Sequence, residues 1–240
     1  MTVKGIIFDK DGTLIRFESV WIDATYQVID SLADTFGHAD DDHLKEKLAK
    51  SIGLNGNDVS EHGFLASGTT KDFAAAFADI LHVPESSVLK EVNQAYDEEI
   101  EHKLERIEAI GDLPKLFESL KQAGYRLGVI TADNYYSTNA TLKKLGIYEY
   151  IDFIGTADLY NKKPERQAMD AFCQKMNLSP NEVIHVGDTD VDLAFSKHCL
   201  HGIGVLSGVG TFPTLSTYTD YIIKDVHELW TETNTLICEN

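Results

Sequence analysis

The sequence predicts an α/β fold: a doubly wound parallel sheet, with a separate all-helical domain inserted after its first strand. Three observations carry this. The apolar run Gly5-Ile6-Ile7-Phe8 is short enough for a buried strand and too short for a helix. From residue 17 to 105 apolar residues recur at helical spacing, and no run of period two breaks the pattern. Beyond residue 106 strand-like and helix-like segments alternate, which implies parallel strands covered by helices on both faces. The predicted organisation is a core domain of residues 1–16 and 106–240 and a helical domain of residues 17–105.

In order, the first strand ends at Asp9. Val20, Trp21, Ala24, Val28, Ile29, Leu32 and Phe36 then mark a helix from about Glu18, closed by Gly37. Acidic residues 40–42 open a second helix. Residues 58–67 read as irregular, and 69–81 and 88–104 as further helices. The alternating part begins with a helix over 113–123, closed by Gly124, and a strand over 125–131. A helix over 135–145 follows, closed by Gly146, then a short strand over 151–155. A helix over 164–176 has Pro164 in its first turn. The remainder reads as a strand over 183–186, a helix over 190–199, and strands over 202–206 and 221–223.

Composition narrows the function. The 240 residues allow ample core, and 43% hydrophobic with 25% charged residues is ordinary for a water-soluble globular chain. A net charge of -18 argues against a nucleic-acid partner and against an anionic membrane surface. It leaves room for a small anionic substrate at a locally positive site. Cys173, Cys199 and Cys238 lack metal-binding spacing, and their odd number suggests reduced thiols, hence an intracellular, cytoplasmic protein. No apolar run approaches a membrane span, and no signal peptide is expected ahead of a strand that starts at residue 5.

Ligands of such sheets bind at the carboxyl ends of the strands, and several of those ends carry reactive groups. Asp9 and Asp11 follow the first strand; period two puts them on one side, and Gly12 lets the backbone turn at once. Like charges this close raise each other's proton affinity unless a cation sits between them. The same residues can form an ordinary turn. A calcium loop is excluded, because Val20 stands where the loop needs Glu. Thr131 ends another strand, ahead of Ala132-Asp133-Asn134; taken singly it could cap a turn. Lys162 and Lys163 precede Pro164 and could be a solvated pair. Asp188 could cap the next helix, with Asp190 and Asp192 at its positive end; four apart, Asp188 and Asp192 would share a helix face.

Order and spacing together make the set informative. Asp9-Lys10-Asp11-Gly12-Thr13, Thr131 after an apolar strand, Lys163-Pro164, and Gly187-Asp188 with Asp192 resemble the four motifs of the haloacid dehalogenase superfamily of phosphohydrolases. The likeness runs from residue 3 to about 206, and its closest form is phosphoglycolate-phosphatase-like. It implies a Rossmann-like core, and it makes the helical insert similar to the family's type 1 cap. One departure is Arg16-Phe17-Glu18-Ser19, where many such members have Asp-Ser or Asp-Thr.

The resemblance implies a magnesium-dependent phosphatase acting on a small phosphorylated metabolite. Asp9 would be the nucleophile, forming an aspartyl-phosphate, and Asp11 the acid and base. Thr131, Ala132 and Lys163 would hold the phosphoryl oxygens, with Lys163 rather than Lys162 chosen because Pro follows it. Asp9, the Asp11 carbonyl, Asp188 and Asp192 would hold the metal. The second carboxylate, Asp11, favours phosphoryl transfer over dehalogenation. A phosphosugar mutase uses the same core residues and is the alternative. A non-catalytic binding protein is expected to have lost Asp9, Lys163 or Asp188, and all three are present. The expected assembly is a monomer or a homodimer.

Overall fold

The computed structural model describes residues 2–231, 233 and 235–239, with side chains described outside 99–103 and 105. The chain divides into two compact units, residues 1–16 with 108–240 and residues 17–107. Strand β1 (Gly5–Phe8) is buried along its whole length, as its unbroken apolar character requires.

The second unit is built on helices. Helix α1 (Trp21–Thr35) starts at Trp21 rather than near residue 18, with Val20 at its N-cap, and buries Ile22, Thr25, Val28, Ile29 and Leu32. Helix α2 (Asp42–Ser51) is capped by Asp41, whose carboxylate accepts the Leu44 N–H at 2.9 Å. A small antiparallel hairpin follows, β2 (Leu54–Asn55) and β3 (Asp58–Val59). Gly56, at φ +60°, takes the first turn position as a type II′ hairpin demands. Two residues per strand are too few to show a period of two, so the sequence reads this stretch without strands. After α3 (Phe64–Ser67) come α4 (Thr70–Leu81), closed at its N-terminus by a Thr69/Asp72 capping box, and α5 (Glu85–Lys103). Helix α5 begins three residues before the apolar pattern does, directly after Pro84, because its first turn carries polar residues. The buried Tyr96 of α5 joins this unit's helices. Its hydroxyl pairs with Thr25 at 2.9 Å, and its ring lies 5.4 Å from Trp21 and 5.9 Å from Phe73.

Returning to the first unit, the chain forms α6 (Leu113–Gln122), β4 (Arg126–Ile130), α7 (Tyr135–Lys144) and β5 (Phe153–Gly155). Helix α8 (Gln167–Met176) begins three residues later than Pro164. The Lys163–Pro164 peptide is cis, and a turn closed by Glu165 N–H donating to Lys162 O occupies this stretch. Then come β6 (Val183–Gly187), the short α9 (Asp190–Phe195), β7 (His201–Val205), α10 (Phe212–Leu215) and β8 (Ile222–Ile223).

The six core strands are all parallel, in the order β5-β4-β1-β6-β7-β8. The chain winds outward from β1 to β4 and β5, then crosses back to β6 and winds the other way. The strand order therefore reverses between β1 and β6, and the crevice beyond their carboxyl ends is the favoured ligand site of such a sheet. Both faces of β1 are covered. Phe8 meets Phe117 of α6, with ring centroids 5.0 Å apart, while Ile7 packs in a cluster with Phe172 of α8 and Phe195 of α9. Among the described residues no helix is long and apolar enough to cross a membrane.

Candidate active site

The site grows from the pairing of β1 with β6. Phe8 lies beside Val186, and the next residue, Asp9, donates its N–H to Val186 O at 2.8 Å. This sets the Asp9 carboxylate at the rim of the crevice, yet the residue is only 6% exposed. The chain must then turn away. Gly12 does so at φ +80°, and a Cβ there would lie 2.5 Å from the Asp188 carboxylate. Backbone conformation and close approach both demand glycine at this position.

Asp188 follows β6 and is buried. It accepts hydrogen bonds from the Thr13 hydroxyl at 3.3 Å and from the Val209 N–H at 2.9 Å, the latter from the loop after β7. That loop is tied to the first by the Ser207 hydroxyl, which donates to Gly12 O at 2.7 Å. Gly208 is small for the same reason as Gly12, since a Cβ would overlap the Asp188 carboxylate. Thr189, not Asp188, caps α9: its hydroxyl accepts the Asp192 N–H, while Asp192 Oδ2 takes bonds from the Thr189 N–H (3.1 Å) and hydroxyl (2.6 Å). The same Asp192 turns Oδ1 toward His185 Nε2 at 3.0 Å and Lys163 Nζ at 2.6 Å. Lys163 Nζ also lies 2.5 Å from Asp9 Oδ1.

One carboxylate oxygen from each of Asp9, Asp188 and Asp192 lies within 4.8 Å of the others. Burial pushes Asp9 up to about 7, against the pull of Lys163 and with the push of Asp192 and Asp11. Burial, then Asp9 and Asp192, hold Asp188 well above the carboxylate range. Asp192 goes the other way: burial acts to raise it but is outweighed by Lys163 and His185, which hold it below that range. Burial alone would lower Lys163, and the carboxylates of Asp192 and Asp9 outweigh it, so the ammonium stays charged. Burial lowers His185, leaving a neutral imidazole that donates to the ionised Asp192. Three buried carboxylates thus face a single ammonium. The pocket fits one hard cation held by oxygen ligands, with Asp9 and Asp188 nearest to hand. Asp192 differs from Asp188 in touching both the Lys163 ammonium and His185, which suits it to orienting Lys163.

Asp11 does not enter this cluster through its carboxylate. Its Oδ1 takes the Lys10 ammonium at 2.8 Å, and Lys10 also lies 3.1 Å from Asp133 Oδ2. Thr131 stands at the carboxyl end of β4, the strand next to β1, and is buried. Its hydroxyl accepts the Asp133 N–H at 3.2 Å, and Ala132 lies in the loop between them. The structure thus joins Asp9, Lys163 and Asp192 by contact, brings an Asp188 carboxylate oxygen within 4.8 Å of those of Asp9 and Asp192, and sets Thr131, Ala132 and Asp11 on the adjoining loops. Sequence reasoning missed Lys10, Asp133 and His185. The signal for His185 was a polar residue inside an apolar strand, and for Lys10 a lone cation between two carboxylates.

The chain as a whole is similar to known proteins. A family model described as haloacid dehalogenase-like hydrolase matches residues 3–199. A phosphoglycolate phosphatase from Vibrio cholerae is 25% identical over 95% of this chain and 96% of its own length. The pyrophosphatase PpaX of Anoxybacillus flavithermus is 22% identical over 95% of this chain and 96% of its own length. The crystal structure of a HAD phosphatase from Thermococcus onnurineus superposes with a TM-score of 0.70 at 22% identity, covering 98% of this chain and all of that one.

Proposed function

The chain belongs to the haloacid dehalogenase-like hydrolase family, and from that premise we propose that it is a magnesium-dependent phosphatase of small phosphomonoesters that works through a phosphorylated Asp9. The observation that carries this reading is Asp9 itself. It is a carboxylate at the reversal point of the sheet, in contact with one buried ammonium and within reach of two further buried carboxylates.

An Asp9 oxygen attacks phosphorus, and the bond from phosphorus to the ester oxygen breaks. Asp11 gives its proton to the departing alcohol, then takes one from the water that attacks the acyl phosphate. Inorganic phosphate leaves and Asp9 is regenerated. Lys163 balances negative charge on Asp9 and on the transferring group, and Asp192 with His185 fixes where that ammonium stands. The Thr131 hydroxyl and the Ala132 N–H hold phosphoryl oxygens. Asp9, the Asp11 carbonyl and Asp188 would hold the magnesium ion, with Asp192 behind them. When bound, the ion supplies positive charge that lets an anionic nucleophile approach a phosphate dianion.

The V. cholerae relative is named for phosphoglycolate, which supports a compact substrate with a second anionic group beside its phosphate. The A. flavithermus relative is named for pyrophosphate, which makes pyrophosphate the second substrate to test. The test is phosphate release by the purified protein with magnesium, over a panel holding phosphoglycolate, pyrophosphate, sugar phosphates and alkyl phosphates. Turnover of at least one of these, abolished by chelator and by Asp9→Asn, is the expected result. Isomerisation of a sugar phosphate without phosphate release would instead identify a mutase.

A further inference from the structure

Lys10 is the one residue between the two carboxylates of the first motif, and its side chain is 1% exposed. A buried ammonium is expensive, and a buried ion pair often stabilises no better than apolar side chains of similar size. Its position therefore asks for a reason other than stability. Lys10 Nζ meets Asp11 Oδ1 at 2.8 Å and Asp133 Oδ2 at 3.1 Å. Asp133 is itself fixed: its Oδ1 accepts the Asn134 N–H at 2.7 Å, its Oδ2 accepts the Ser137 hydroxyl at 2.5 Å, and its carbonyl accepts the Ala157 N–H at 3.1 Å. Its own N–H donates to the Thr131 hydroxyl. A continuous polar chain thus runs from the start of α7 through Asp133 and Lys10 to Asp11.

We propose that Lys10, anchored by Asp133, is a positioning residue that fixes the Asp11 carboxyl for proton transfer and registers it against the Thr131 loop. This rests on the reading of Asp11 as acid and base. Holding one carboxyl oxygen fixes the plane of the group, and so fixes where the other oxygen can deliver a proton. The anchor lies on the loop that is to hold the phosphoryl oxygens, so the acid and the phosphoryl group would share one frame. A proton donor displaced by about 1 Å can lose about 100-fold in rate.

The test compares first-turnover rates on an alkyl phosphate, whose leaving group needs a proton, and on para-nitrophenyl phosphate, whose leaving group does not. Asp11→Asn is the control. It should lose the alkyl reaction while keeping the nitrophenol burst. Lys10→Met should follow the same pattern in milder form, with the alkyl rate down about 10- to 100-fold and the burst changed much less. Lys10→Arg, which keeps the charge, should recover part of the alkyl rate. Should Lys10→Met not fold because the buried Asp133 loses its cation, the double variant Lys10→Met with Asp133→Asn gives the same readout. Equal losses on both substrates, or no loss on either, would overturn the positioning role. Should Asp11→Asn itself slow both substrates alike, the acid-and-base reading fails, and this inference with it.

Discussion

Removing the charge of Asp9 should stabilise the metal-free protein at neutral pH, and the amount can be worked from the site. Burial lifts the Asp9 carboxyl from 3.8 to about 7. A carboxyl whose folded value lies above its unfolded one holds its proton more tightly when folded. Its contribution to stability is complete below about pH 4 and is lost as pH rises through about 7. Between about pH 5 and pH 8 the loss integrates to about 3 kcal/mol, at about 1.4 kcal/mol per pH unit up to that value. Asp188 shifts in the same direction. Asp192 is held down, so its own contribution is lost only in acid below this window. Asp9→Asn is neutral throughout and serves as the reference for groups remote from the site, while the neighbouring Asp188, which Asp9 helps to hold up, shifts with it. In excess chelator, wild type should therefore lose about 10 °C of melting temperature relative to Asp9→Asn on going from about pH 5 to about pH 8, at roughly 2–4 °C per kcal/mol. Magnesium at pH 8 should restore wild type and leave Asp9→Asn nearly unmoved, because the ion removes the cost of an ionised Asp9. A difference between the two proteins that stays flat with pH, or that grows in favour of wild type without metal, would mean that Asp9 is not held protonated by burial.

Three further outcomes follow from the same geometry. Lys163→Ala should lower turnover about 100- to 1000-fold, the typical worth of one charge-stabilising donor, while Lys162→Ala, at an exposed position, changes it little; equal mild effects in steady-state kinetics would remove Lys163 from the site. Gly12→Ala should both strain the backbone at φ +80° and push on the Asp188 carboxylate, costing about 1–3 kcal/mol in denaturant melts and weakening magnesium affinity in calorimetry; wild-type affinity would show that the first turn does not shape the metal pocket. Calcium should restore little of the activity that magnesium restores after chelation, because its looser coordination does not hold in-line geometry; equal rates with the two ions would contradict this.

The parallel core was legible because buried strands such as 183–187 and helices with an apolar face such as 113–122 carry their own signals. The motif residues were legible because strand ends point at the crevice, whatever packs around them. What was not legible depends on contacts far apart in sequence. His185 looks like a flaw in an apolar strand until Asp192, seven residues on, is seen to take its ring nitrogen. Asp133 reads only as part of the segment that leads from Thr131 into a helix, and the parallel pairing of β1 with β4 is what brings it to Lys10. The hairpin at 54–59 escaped because its strands are too short for periodicity, although Gly56 marks its turn. Thr189 took the capping role that Asp188 would have had, because Asp188 is drawn toward Thr13 and Val209 instead.

Everything proposed for this site requires that Asp9 carry the phosphoryl group. Rapid mixing with a turned-over phosphate ester and magnesium, acid quenching, and mass spectrometry of the peptide containing residue 9 tests it most directly. One phosphoryl group on Asp9 is expected at early times, lost in base as an acyl phosphate is, accumulating further in Asp11→Asn with the nitrophenyl ester and absent in Asp9→Asn. Full turnover with no phosphorylated Asp9 at any time, or a phosphoryl group on another residue, would contradict it.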